Sequence, residues 1–123
     1  ISQAGTILLH AIGYPLTVEF DIAHGKANAI MLKPTIDFLK DSAEEKYQAL
    51  ENILERNNLK SFDELLDKLG ISYNLADYGI KKSNIQNFVK SVMTKKNLNI
   101  TPKQTMEKDV ESIYFSRFQS KEL

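Results

Sequence analysis

Apolar residues recur at steps of three and four along most of this chain. Ala43, Tyr47, Leu50 and Leu54 share one face of residues 43–57. Leu65, Leu66 and Leu69 do so in 62–69, and Ile85, Phe88, Val89 and Val92 in 84–95. Met106, Val110, Ile113, Tyr114 and Phe118 do so in a last segment, about 105–119. That spacing places side chains on one side of an α-helix. Three of the segments open on Ser with Glu or Gln three residues later, the capping box that satisfies free N–H groups at a helix start. These are Ser42 with Glu45, Ser61 with Glu64, and Ser83 with Gln86. Gly70 marks a C-terminal stop, and Ile71–Ile80 is a connecting segment broken at Gly79.

The first third is patterned differently. Residues 1–14 are apolar nearly all round, which predicts a central, buried helix with His10 deep in the domain. Ala4, Gly5, Ala11 and Gly13 are small enough for other helices to approach closely. A helical Gly costs about 1 kcal/mol against Ala, so two of them point to a packing requirement. Pro15 should kink or end this helix. Residues 16–23 alternate like a short strand, but no second strand is visible, so they are expected to form a loop. A second long helix is expected over 24–40, opened by His24-Gly25, with Ala27, Ile30, Met31, Ile36 and Leu39 apolar and a kink at Pro34. The pattern predicts one all-α domain over 1–123, a helical bundle of about five to six helices with short polar loops.

Composition narrows the function classes. Of 123 residues, 42% are hydrophobic and 26% charged, with sixteen basic and sixteen acidic side chains. Net charge is zero, so no broad basic field invites nucleic acid. Lys81-Lys82 and Lys95-Lys96 are read as solvated surface pairs. Cysteine is absent, which removes disulfides, thiolate catalysis and zinc-finger sites, and suits a cytoplasmic protein. No apolar run approaches the roughly 18 residues of a membrane span. The start, Ile-Ser-Gln-Ala-Gly, lacks the basic leader of a signal peptide and has no Met, so it is read as a cut inside a larger chain.

Chemistry concentrates in the two histidines. His10 sits in the run Ile7-Leu8-Leu9-His10-Ala11-Ile12, and His24 at a turn before Gly25. A buried imidazole needs a hydrogen-bond acceptor or a metal. On these residues alone, buried or capping histidines and metal ligands both stay open.

A resemblance separates the two. His-Ala-Ile-Gly-Tyr-Pro-Leu-Thr, then His-Gly-Lys-Ala-Asn-Ala-Ile-Met-Leu, with the histidines fourteen positions apart, resembles the metal-ligand signature of iron-containing (group III) alcohol dehydrogenases. The dehydroquinate synthases are similar but have a longer gap and Glu after the glycine, where this chain has Lys26. The resemblance implies a dehydroquinate synthase-like C-terminal helical domain with His10 and His24 as metal ligands for Fe(II) or Zn(II). It implies a catalytic or substrate-contacting role for Tyr14, one helical turn after His10, where the family has His or Tyr, with a core or interface tyrosine as the alternative. Phe20 is a candidate for the same substrate pocket, with plain packing as its alternative. In the family the remaining ligands, an aspartate and a histidine, lie on a preceding helix that these residues do not include, and Glu19 and Asp21 are not at ligand positions. NAD or NADP is then expected to be held mainly by an N-terminal nucleotide-binding domain, since no phosphate-binding Gly-rich loop is present. The expected reaction interconverts an alcohol with an aldehyde or ketone, with the 123 residues inactive alone. Pro34 falls one position later than the family's proline, and Thr101-Pro102-Lys103 matches a family turn only weakly, so no role is carried over.

Two alternatives stand beside this reading. One is a non-catalytic helical interaction domain that keeps the fold; the other is a zinc-using glycerol dehydrogenase or dehydroquinate synthase relative. Apolar surface left bare beside a missing helix predicts a homo-oligomer.

Overall fold

Pro15 does not end the first helix. In the computed structural model, which describes residues 2–40, 44–94 and 105–118, α1 runs Ser2–Phe20 with Pro15 inside it. The expected break after residue 14 and the loop over 16–23 are therefore corrected. Leu8, Ile12 and Leu16 lie one turn apart and are all fully buried. That stripe continues through the proline and outweighs the roughly 3 kcal/mol that an internal proline costs. The helix ends at Asp21, which takes the left-handed conformation (φ 57°). Its N–H bonds the Thr17 carbonyl at 3.1 Å, and the Ile22 N–H reaches back to Leu16 at 3.2 Å. Ile22 thereby turns into the core. Only residues 21–23 separate α1 from α2 (His24–Leu39), which in turn runs through Pro34.

An internal proline deprives the carbonyl four residues earlier of its donor. Those carbonyls are Ala11 for Pro15 and Ile30 for Pro34. For Ile30 the substitute donor comes from the turn that follows α6 (Glu107–Phe115). In α1 the Tyr114 hydroxyl, on α6, donates to the Ile12 carbonyl and not to that of Ala11. Arg117 donates from Nε to the Ile30 carbonyl at 2.8 Å. The same guanidinium grips Asp63 with both terminal nitrogens, at 2.9 and 2.7 Å, and lies over the Tyr73 ring, 4.8 Å from its centre. Arg117 is 7% exposed, so its charge is buried but paired and bonded, the condition under which burial is tolerated.

The remaining helices are α3 (Glu44–Arg56), α4 (Phe62–Leu69) and α5 (Ile85–Met93), with short 3-10 turns at Leu75–Tyr78 and Lys82–Asn84. Three turns close the same way, on a left-handed residue: Asn58, Gly70 and Gly79. In each, the next N–H bonds a carbonyl five residues back: Leu59 to Leu54, Ile71 to Leu66 and Ile80 to Leu75, the Schellman arrangement. Gly70 thus stops α4 as its sequence position predicts. Ser61 caps α4 by accepting from the Glu64 N–H at 3.1 Å, while the Glu64 carboxylate takes the Lys60 N–H. The Ser83–Gln86 box is corrected. Asn84 accepts from the Lys81 N–H at 2.8 Å, and Gln86 instead donates to Glu111 across to α6 at 2.6 Å. Ser42 and the Thr101-Pro102-Lys103 turn lie outside the described residues.

Six α-helices and no strand are present among the described residues, so the all-α expectation holds. The core gathers the inner faces of α1, α2, α5 and α6, with Phe88 fully buried in it. Phe20 meets Phe88 edge-on at 5.8 Å, and Tyr114 lies against it at 5.3 Å. No described helix is long and apolar enough to cross a membrane.

Candidate functional site

With Leu8, Ile12 and Leu16 turned inward, positions 10, 14 and 18 fall on the outer side of α1. His10 is accordingly exposed, Tyr14 is 46% exposed and Val18 59%. This corrects the expectation of a deeply buried His10. An apolar neighbourhood in sequence is not an apolar neighbourhood in space, because the flanking Leu8 and Ile12 point the other way. His24, the first residue of α2, is exposed as well.

The two imidazoles nevertheless meet. Their ring centres are 5.2 Å apart, with planes inclined by 57°. The three-residue turn lays α2 back over α1, and the two backbones come together at Gly13. A methyl group there would stand 2.5 Å from Asn28 Oδ1 and 3.6 Å from the Asn28 backbone nitrogen. His10 precedes Gly13 by three residues and His24 precedes Asn28 by four, so the imidazole pair sits about one helical turn from the crossing.

The separation suits a shared metal ion. With metal–nitrogen bonds of about 2.1 Å and ring nitrogens roughly 1.15 Å from the ring centre, two imidazoles at a tetrahedral angle stand about 5 Å apart, centre to centre. Imidazole nitrogen suits Fe, Zn, Co or Ni. Two imidazoles alone would supply only part of a metal site, which takes three or more protein ligands. Among the described residues no group of three or more His, Cys, Asp or Glu side chains is placed to hold a metal, so neither Glu19 nor Asp21 completes it. The charge of Glu19 adds to the burial that pushes the Tyr114 phenol well above its usual range.

Around the pair, Tyr14 lies one turn further along the same face of α1. Phe20 is half-buried and packs on Phe88. Gly25 needs its missing side chain for nothing in the described chain: its φ is not left-handed, and an added methyl would meet nothing within 4 Å. Lys26 holds its ammonium 5.0 Å from the centre of the Tyr78 ring, a cation–π contact. The pairing of Asn28 with Gly13 is one that sequence pattern does not single out. The available signal is a polar Asn inside the run Ala27-Asn28-Ala29-Ile30.

A cleft of about 490 Å³ opens elsewhere, between α2, α4 and α6 beside Arg117 and Lys33. Both of its cations are already paired, Arg117 with Asp63 and Lys33 with Asp37 at 2.8 Å.

Residues 1–118 match the model of the Fe-containing alcohol dehydrogenase family, C-terminal. The chain is 27% identical to long-chain-alcohol dehydrogenase 1 of Geobacillus thermodenitrificans over 94% of its own length and 33% of that protein. It is 24% identical to lactaldehyde reductase of Escherichia coli K12, over 92% of the chain and 33% of the relative. It is 28% identical to 4-hydroxybutyrate dehydrogenase of Clostridium kluyveri, over 74% of the chain and 27% of the relative. The chain thus spans about a third of the length of the first two of these relatives.

Proposed function

The chain belongs to the Fe-containing alcohol dehydrogenase family, matching its C-terminal model, and from that premise we propose that it is the metal- and substrate-binding part of a metal- and NAD(P)-dependent alcohol dehydrogenase. The observation that carries the reading is the pair of exposed imidazoles, brought from two helices to 5.2 Å. His10 and His24 are the two ligands this chain contributes to the metal. When bound, a divalent metal supplies Lewis-acid polarisation of the alcohol or carbonyl oxygen, and the nicotinamide supplies the hydride acceptor or donor.

The chain's own residues then have separable tasks. The α1–α2 crossing fixes the ligand pair on rigid helices, which holds a reacting oxygen more narrowly than loops do. Tyr14 presents its phenol on the His10 side of α1, placed to hydrogen-bond that oxygen or relay its proton. Phe20, packed on Phe88, steadies the end of α1 behind this face. The open space over Gly25 leaves room for a bulky group to approach the backbone. Nucleotide binding is assigned to a separate domain of the intact enzyme, so the 123 residues are expected to be inactive alone.

Isothermal titration of Zn(II), or of Fe(II) without oxygen, tests the reading in the native chain and in a His10→Ala/His24→Ala variant. Binding in the native chain that is lost in the variant supports it. Equal binding in both would place the metal elsewhere.

A further inference from the structure

Asn28 stands out because it breaks a packing rule at the centre of the crossing. Its Oδ1 is buried and has no hydrogen-bond partner among the described residues. A buried acceptor left unsatisfied is costly, and an apolar side chain would fill space without that cost. The oxygen instead occupies the notch left by the missing side chain of Gly13. A methyl group at position 13 would stand 2.5 Å from the carboxamide oxygen but at an ordinary 3.6 Å from the Asn28 backbone nitrogen, so it is the carboxamide that must give way, and a residue shorter than Asn at position 28 leaves the notch empty.

From this fit we propose that Asn28 is a positioning residue for the imidazole pair. Seated against Gly13, its carboxamide sets how closely α2 lies on α1, and through that the separation of His10 and His24. The inference rests on the metal-site reading above for its consequence, although the spacing itself needs no metal. Each histidine lies about one helical turn along its own helix from its contact residue, so a change of helix separation at Gly13 reaches the rings. A two-ligand site tolerates little such change, because bond lengths to the metal are fixed within a few tenths of an ångström.

The test is a size-swap cycle of Gly13→Ala, Asn28→Ala and the double variant, with Asn28→Ser as a milder substitution should either single change impair folding. Two readouts are taken on the full chain. The first is metal-free: the ring-to-ring nuclear Overhauser effect between His10 and His24, the only two imidazoles in the sequence. The second is Co(II) affinity and visible spectrum. Gly13→Ala is expected to weaken the Overhauser effect and to reduce Co(II) affinity about tenfold or more, in the range usual for residues that orient metal ligands. Asn28→Ala and Asn28→Ser shift both in the same direction. In the double variant the methyl introduced at position 13 takes the space the carboxamide vacated, and both readouts return most of the way.

Single variants that lose thermal stability but keep the native Overhauser effect and Co(II) spectrum would overturn the proposal and leave Asn28 as ordinary packing. A double variant no better than Gly13→Ala would overturn it too. The metal-site reading fails separately. If Co(II) binding is indifferent to His10 and His24 while the Overhauser effect follows the cycle, the spacing role stands and the metal role does not.

Discussion

Arg117 bonds the very carbonyl that Pro34 leaves without a donor, that of Ile30, at 2.8 Å. A side chain on one side of the fold thereby completes the backbone ladder of α2. The guanidinium reaches Asp63 with its other two nitrogens, so a single residue ties α2, α4 and the turn after α6.

Substituting Arg117→Met should destabilise the chain by about 2–4 kcal/mol, since it strands a partly buried Asp63 and reopens the Ile30 carbonyl. Part of this cost should vanish in a Pro34→Ala background, where the residue-34 N–H can bond Ile30 itself. A double-mutant cycle in urea should therefore show coupling of about 1 kcal/mol between positions 34 and 117. Additive effects would mean that the carbonyl does not need Arg117.

Tyr114 should make stability fall at alkaline pH. Its phenol is held well above the usual range, first by burial and then by the charge of Glu19. The folded state therefore keeps a proton that the unfolded chain releases. By linkage, this contribution is intact below about pH 10, the ordinary phenol value, and is lost as pH rises from there. Tyr114→Phe should lose about 1–2 kcal/mol at neutral pH with the bond to Ile12, and should show a shallower alkaline decline in urea unfolding than the native chain.

Two glycines should respond oppositely to Ala. Gly70 has φ 74°, so Gly70→Ala forces a strained conformation and should cost about 1 kcal/mol. Gly25 is at the start of α2, without positive φ and with open space beside it, so Gly25→Ala should leave the melting temperature unchanged or raised by the better helix propensity. If Gly25 exists to admit a ligand, the intact enzyme carrying Gly25→Ala should lose turnover without losing stability. Melting curves beside activity assays separate the two effects.

Ser61→Ala should remove the cap on the Glu64 N–H and cost about 1 kcal/mol. Hydrogen exchange would then be faster at the first turn of α4 and unchanged in α5. Uniform acceleration through both helices would mean that the cap is not a local device.

The later helices are legible in the sequence because each is amphipathic, and a stripe of Ile85, Phe88, Val89 and Val92 admits one orientation. Residues 1–20 are apolar on more than one side, so periodicity does not say which face is inward, and a buried His10 is the wrong choice of the two. Pro15 reads as a breaker because its cost is local, whereas the packing that carries α1 through it is tertiary: the Tyr114 hydroxyl that ties α1 to α6 lies 102 residues from the Ile12 carbonyl it bonds. The histidine pairing is legible from their spacing and the family resemblance. The fit of Asn28 to Gly13 is not, because it depends on where two helices cross.

The stitching of α1 and α2 by Tyr114 and Arg117 also bears on the order in which the chain can fold. Both bonds close long loops, between residues 102 and 87 positions apart, and such closures come late because their entropy cost precedes any gain. The Ile30 carbonyl freed by Pro34 gains its donor only when the turn after α6 docks, and α1 is tied to α6 at the same stage. The imidazole pair, although written into the first 24 residues, should therefore acquire its geometry as one of the last events of folding, and a metal captured earlier would find two ligands not yet held together.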